Sequence, residues 1–256
     1  MTALSKGFLT APIAHRGLHD VNDGRPENSR AAFRAAITNG YGIEIDIQCS
    51  RDGHAMVFHD YDLGRLTTET GSFHQRNVAD LVKIPLKGGD ETIPTFADVL
   101  NIIDGRVPLL IEIKDQDGAL GPNTGVLEKA VASDLKNYGG EVAVMSFNPY
   151  SVALMVDLLP GTPRGLVTGP FSEEKWAVLS KKTRDELREI PDIETVSASF
   201  ISHKIDDLDR PRVAEIRAAG KAVLCWTVRN AKTEAAVRKN ADNITFEGYL
   251  PDRRAA

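Results

Sequence analysis

The feature that most constrains this chain is an alternation. Short, β-branched apolar runs return between stretches of helical periodicity, which is the pattern of parallel strands joined by crossover helices. The runs cover 12–15, 42–47, 109–113, 142–146, 165–168, 195–199, 222–228 and 242–246. That is the number of strands that closes a (β/α)8 TIM barrel, and 256 residues is an ordinary length for one. The alternative, an open doubly wound sheet, would carry a glycine-rich phosphate loop after its first strand, and the sequence has none there.

The stretches between the runs read as helices with one apolar face. In the first, Asn28 or Ser29 can cap, Ala32, Phe33, Ala36 and Ile37 repeat at helical spacing, and Gly40 ends the helix. Phe96, Val99, Leu100 and Ile103 repeat in the same way, as do Leu127, Ala130, Val131 and Leu135, and then Val152, Leu154, Met155 and Leu158. Residues 211–219 and 232–239 supply the last two. These stripes are core packing. With no internal repeat, low-complexity tract or linker, residues 1–256 are expected to form one domain.

One segment breaks the rhythm. Ser50-Arg51-Asp52-Gly53 is followed at once by a further strand-like run, Ala55-Met56-Val57-Phe58. A parallel crossover needs a dozen or more residues, so this connection is a hairpin, and Asp52-Gly53 is a strong type I′ turn signal. Mirror pairing about a two-residue turn sets His59 roughly opposite Asp46. Residues 60–92 have weak periodicity and are expected to form an inserted loop or small lobe over the barrel mouth.

Composition removes several function classes. A formal net charge of -5 offers no basic face for nucleic acid, though it leaves room for a local basic pocket. No apolar stretch reaches the roughly 20 residues of a membrane span. Residues 1–11 lack the basic start and apolar core of a signal peptide. The two cysteines, Cys49 and Cys225, lie far apart in or beside apolar runs and read as inert buried thiols. A cytoplasmic location is expected.

Barrel chemistry gathers where strands end. The first strand ends in His15-Arg16-Gly17, the second carries Glu44-Ile45-Asp46, the hairpin ends in Phe58-His59-Asp60, and the third strand carries Glu112-Ile113-Lys114. Glu44 and Asp46 are two apart, so both point to one face of the strand. Unpaired carboxylates inside a barrel are costly. One divalent cation, Mg2+ or Ca2+, resolves the cost with Glu112 as third ligand; buried ion pairs to Arg16 and Lys114 are the competing explanation. A cation with Arg16 and Lys114 around one point suits a tetrahedral anion. Cleaving a phosphodiester needs one proton removed and one delivered, and His15 and His59 can divide those jobs.

The same residues resemble the glycerophosphodiester phosphodiesterase family of barrel enzymes. The likeness rests on His15-Arg16-Gly17, Pro26-Glu27-Asn28-Ser29, Glu44-Ile45-Asp46, Phe58-His59-Asp60, Glu112-Ile113-Lys114, Ser146-Phe147 and Trp226-Thr227-Val228, in the family's order and spacing over most of the chain. It implies metal-dependent hydrolysis of glycerophosphodiesters to glycerol 3-phosphate and an alcohol. It also implies Glu44, Asp46 and Glu112 as metal ligands, His15 and His59 as the acid/base pair, and Arg16 and Lys114 as phosphate contacts. Glu27 and Asn28 would support the site from the start of the first helix, although Asn28 can equally be a helix cap. Trp226 would line the pocket or simply pack. The implied partner is a small-molecule glycerophosphodiester, with no nucleic acid, no stable membrane insertion and room for a homodimer.

The chain departs from the family pattern in places. Ser29 stands for the usual threonine, and the loop 18–25 is longer and more acidic, with His19 in reach of substrate. The last strand reads Thr245-Phe246-Glu247-Gly248, so its acidic group is displaced by one residue, and Pro251 comes later. Arg229 precedes Asn230 where an asparagine often follows directly. These touch none of the metal or acid/base groups. A lysophospholipase D-like enzyme would keep the site and add an apolar trough near 60–92, and a non-catalytic phosphate-binding barrel would have lost a member of the set. Direct attack by water and attack by the glycerol 2-hydroxyl to give a cyclic phosphate are both chemically open.

Overall fold

The structure is a computed structural model and describes residues 2–252. Its parallel strands are β1 (Ile13–Ala14), β2 (Gly42–Cys49), β4 (Leu109–Ile113), β5 (Val142–Ser146), β6 (Arg164–Thr168), β7 (Phe200–Lys204), β8 (Ala222–Val228) and β9 (Asn243–Phe246). Each pairs with the next, and β1 pairs with both β2 and β9, so the sheet closes into a TIM barrel. Helix α1 (Lys6–Thr10) precedes β1. The others are α2 (Arg30–Thr38), α3 (Val78–Leu81), α4 (Phe96–Ile103), α5 (Val126–Leu135), α6 (Pro149–Leu158), α7 (Lys181–Arg188), α8 (Pro211–Ala218) and α9 (Ala231–Val237). Among the described residues no helix is long and apolar enough to cross a membrane.

Strand alternation divides the core in two. Ile43, Ile45 and Ile47 of β2 face outward into a cluster with Phe33, Phe96, Val99 and Leu127 from the helices. Ile13, Leu110, Met145, Val167, Phe200 and Leu224 fill the barrel interior. Phe8 of α1 enters that interior cluster and is 1% exposed, a burial that stabilises by roughly 1.5–3 kcal/mol. Asn243 fixes this plug by donating from Nδ2 to the carbonyls of Phe8 (2.8 Å) and Ala11 (2.6 Å). Gly165 is demanded by its neighbour, because the Phe200 ring occupies the space a Cβ would need.

Two sequence expectations need correction. The seventh strand is Phe200–Lys204 and not 195–199. The earlier segment is a tight turn: Val196, Ser197 and Ala198 donate their amides to the carbonyls of Asp192, Glu194 and Ile193. Its valine and alanine are buried against the outer cluster without joining the sheet. The strand itself carries His203 and Lys204, which made it look polar.

The hairpin is real, but its turn holds three residues, not two. Strand β3 (Ala55–Val57) runs antiparallel to β2 with Ile47 opposite Val57. Ser50 donates its amide to His54 and Gly53 to Ser50 (both 3.0 Å), and Gly53 alone within the turn takes a positive φ, +83°. This is a type I turn closed by a left-handed glycine, not type I′. The register therefore shifts by one: Phe58 donates to the Asp46 carbonyl at 3.0 Å, and His59 lies a residue beyond the pairing. Ile47 is paired on one side with β4 and on the other with β3, while Ile43 is flanked by β4 and β1. Strand β3 thus continues the edge of β2 that the two-residue β1 leaves free.

After β3 the chain builds the expected lobe. Met56, Phe58, Leu63, Leu66, Phe73, Leu81, Ile84, Leu86 and Ile93 form a cluster of their own, with the Phe58 and Phe73 rings stacked at 4.8 Å. These side chains face one another and give the lobe a core separate from that of the barrel.

Candidate active site

Glu44 and Asp46 follow the inward parity of β2, and the parallel register sets Glu112 of β4 beside Asp46. One oxygen from each of the three carboxylates lies within 4.8 Å of the other two. All three side chains are buried. Burial, reinforced by the negative charges of Asp46 and Glu112, pushes the Glu44 carboxyl well above the usual carboxylate range.

The cations expected from sequence are here too, and they pair with these carboxylates. Lys114 places Nζ 2.8 Å from Asp46 Oδ1 and 2.7 Å from Glu112 Oε1. Arg16 Nε is 3.3 Å from Asp46 Oδ2, and its Nη1 donates to Glu27 Oε1 at 2.7 Å. Burial alone would raise Asp46, but Lys114, His59 and Arg16 together hold it well below its ordinary value. The ion pairs weighed at the sequence level therefore exist, yet they leave one carboxylate over. Glu44 accepts the backbone N–H of Arg16, at 2.9 Å, and is the carboxylate that these two cations do not pair with. Three buried carboxylates that offer hard oxygen donors around one point, one of them without a paired cation, fit a metal ion.

Both histidines line the same cavity as Glu44, Glu112, Arg16 and Lys114. Each is oriented by a carboxylate. His15 donates from Nδ1 to Glu247 Oε2 at 2.6 Å, and His59 donates from Nδ1 to Asp60 Oδ1 at 2.5 Å. With Nδ1 committed, each imidazole keeps Nε2 for proton exchange. Burial holds His15 below its ordinary value, with the Glu247 hydrogen bond partly opposing it. Glu247 is lowered as well: burial would raise it, but its bond to His15 keeps it far below the usual range. Its place in the sequence is the displaced acidic group of the last strand, which carried the signal without a role attached. His19 turns toward Glu247, with Nε2 3.8 Å from Oε2.

The backbone after β1 is shaped for this arrangement. Arg16 and Gly17 both take positive φ, +58° and +78°, and the turn aims the Arg16 amide at Glu44. The Arg16 carbonyl accepts from the Asn28 amide at 2.9 Å. Ser29, not Asn28, caps α2, accepting from the Ala32 amide at 3.1 Å. Asn28 is thereby free to support the site, donating from Nδ2 to Asp46 Oδ2 at 2.9 Å from a positive φ of +57°. Glu27 receives Arg16 and also Arg65, a residue of the lobe that sequence reasoning missed.

These groups open on a cavity of about 360 Å³. Trp226 lines it, packed against the interior cluster and donating from Nε1 to the Ser202 carbonyl at 3.0 Å. Its ring meets that of Phe147 edge-on at 5.8 Å. Phe171 and Trp176, which also meet the Phe147 ring, come from the segment between β6 and α7 and were not anticipated. Nothing in its spacing distinguishes it from a surface loop.

Comparison with known proteins follows this geometry. The sequence profile of the glycerophosphoryl diester phosphodiesterase family matches residues 15–246. The chain is 30% identical over 233 residues to YhdW of Bacillus subtilis, covering 87% of this chain and 88% of that protein. It is 34% identical over 177 residues to the glycerophosphodiester phosphodiesterase of Caldanaerobacter subterraneus, covering 65% of this chain and 70% of that one. Among solved structures, an Oleispira antarctica phosphodiesterase in complex with the product sn-glycerol-3-phosphate superposes with a TM-score of 0.76 at 24% identity, covering 94% and 93% of the two chains. The Thermotoga maritima glycerophosphodiester phosphodiesterase gives 0.68 at 21% identity, covering 92% and 94%.

Proposed function

The chain belongs to the glycerophosphoryl diester phosphodiesterase family, and from that premise we propose that it hydrolyses glycerophosphodiesters to glycerol 3-phosphate and an alcohol. Glu44, Asp46 and Glu112 hold one divalent cation, Mg2+ or Ca2+. When bound, that cation neutralises charge on the phosphoryl oxygens and offsets the excess carboxylate. Arg16 and Lys114 face the same anion, the guanidinium offering paired donors and the ammonium a point charge. His15 and His59 exchange the two protons of the reaction. One takes a proton from the attacking hydroxyl or water and the other delivers one to the departing alcohol oxygen. Neutral His15, favoured by its burial, suits the first task.

The observation that carries the reading is the joint exposure of both histidines, Arg16, Lys114, Glu44 and Glu112 to one cavity. The product complex of the Oleispira antarctica protein supports glycerol 3-phosphate as the product here. The test is hydrolysis of glycerophosphocholine, followed by release of glycerol 3-phosphate. EDTA abolishes it, Mg2+ or Ca2+ restores it, and His15→Ala and His59→Ala each slow it by about 10²–10⁴-fold. Full activity in either variant, or after thorough chelation, overturns the reading.

A further inference from the structure

Arg65 lies on the inserted lobe, 38 residues from Glu27, yet its guanidinium reaches the site twice. On one edge Nε donates to Asp60 Oδ2 at 2.6 Å and Nη2 to Asp60 Oδ1 at 2.8 Å. On the other, Nη1 donates to Glu27 Oε2 at 2.8 Å and Nη2 to Glu27 Oε1 at 2.9 Å. Each carboxylate it grips also holds a working residue. Glu27 Oε1 accepts from Arg16 Nη1 at 2.7 Å, and Asp60 Oδ1 from His59 Nδ1 at 2.5 Å. The outcome is an unbroken row, Arg16–Glu27–Arg65–Asp60–His59, in which N–H donors and carboxylates alternate.

We propose that Arg65 is a positioning residue for the phosphodiester reaction: a single guanidinium fixes the two carboxylates that orient the phosphate-facing Arg16 and the proton-exchanging His59. On this account, the lobe's contribution to the site is to deliver that guanidinium. The inference rests on the phosphodiesterase reading of the cavity.

Three features favour positioning over simple attachment of the lobe. The Arg65 side chain is 48% exposed against 13% and 20% for the Glu27 and Asp60 side chains it bridges, so about half of it stays in solvent and outside the packing that attaches the lobe. The lobe already has an apolar core, and Leu63 and Leu66 anchor the residues around Arg65 within it. The backbone is further pinned by Lys87, whose Nζ donates to the carbonyls of Gly64 (2.7 Å) and Arg65 (3.5 Å). The lobe is thus held without the guanidinium. The guanidinium's planar fork is what bridges two carboxylates at once, a geometry that an ammonium lacks.

The test compares wild type with Arg65→Ala, Arg65→Gln and Arg65→Lys in hydrolysis of glycerophosphocholine with Mg2+, alongside thermal melting. Arg65→Gln should lower kcat by about 10–100-fold with KM changed by less than about threefold, and Arg65→Lys should recover only part of the loss. Guanidinium chloride at about 50 mM should restore Arg65→Ala by roughly tenfold, which a purely structural role would not allow. In an Asp60→Asn background, Arg65→Gln should cost less than it does in wild type, because the His59 half of the row is already broken and only the Glu27 half remains to be lost. A loss that guanidinium leaves unrestored, or full additivity with Asp60→Asn, overturns the proposal. If wild type is active and the Arg65 variants stay within about threefold of it, this inference fails alone. If wild type cleaves no glycerophosphodiester, the reading of the reaction fails and takes the inference with it.

Discussion

Glu247, one residue past β9, accepts a 2.6 Å hydrogen bond from Nδ1 of His15 at the end of β1, so the strands that close the barrel also lock an imidazole. Replacing it by glutamine removes the largest contribution that raises His15 and leaves burial opposed by the Asp46 charge alone. The pH at which His15 takes up a proton should fall, moving the acidic limb of kcat/KM to lower pH, while the rate at neutral pH drops by about tenfold or more. A limb that stays in place or moves up counts against the pairing.

The same pair contributes to the acid stability. His15 is depressed in the folded chain, so its contribution is full above an unfolded value of about 6.5 and is lost as pH falls through the folded one. Glu247 is also depressed, and its contribution fades only below the ordinary range of about 4.3. Melting temperature should therefore decline first below about pH 6 and more steeply below about pH 4. Glu247→Gln should flatten the lower part of that curve.

Glu44 behaves in the opposite sense. Its folded value is raised, so without a cation its stabilising effect is present at low pH and is lost as pH rises. Metal-free Glu44→Gln should melt higher than metal-free wild type at neutral pH, by an amount on the order of 1 kcal/mol. Adding Mg2+ should raise the melting temperature of wild type and leave the variant unmoved, with activity down at least about 10²-fold. Equal metal responses in the two proteins would remove Glu44 from the ligand set.

Asn28 combines an unusual backbone with a contact to Asp46, and two substitutions separate these. Asn28→Gly keeps the positive φ without strain but loses the side-chain donor; Asn28→Ala loses both. Both should cut activity by about 10–100-fold, and only Asn28→Ala should also lower the melting temperature appreciably. Comparable melting of the two would show that the backbone conformation carries little strain.

Gly165→Ala places a methyl where the Phe200 ring lies in the closed barrel interior. Overpacking there should destabilise by about 1–3 kcal/mol. Phe200→Leu, costly by itself, should recover much of this when combined with Gly165→Ala. A double mutant as unstable as the sum of the two singles would mean the ring is not what the methyl meets.

The barrel was legible because strand burial on both faces demands apolar runs, and those runs are what a sequence displays. The exception, β7, shows the limit: Ser202, His203 and Lys204 sit at the strand's end, while a buried turn upstream carries the β-branched residues. The inward carboxylates, Lys114 and the histidines could be read from parity and strand ends. Arg65, Asp60 and Glu247 could not be given roles, since their contacts join loops whose paths no periodicity fixes. The aromatic wall of Phe171 and Trp176 was hidden for the same reason.

The brevity of β1 and the three-residue turn before β3 have a consequence for how this protein tolerates change. The turn is exposed at Arg51 and Asp52; substitutions at Arg51 should pass unnoticed, while those at Asp52 lose a carboxylate oxygen that accepts from the Val78 amide and the Ser50 hydroxyl. Deletion or insertion of a single residue is another matter, because it would slide β3 along β2 by one position and send His59 to the other side of the ribbon. In a library of insertions and deletions, these surface residues should therefore behave like active-site positions. The length of the turn, more than its composition, is what selection would preserve.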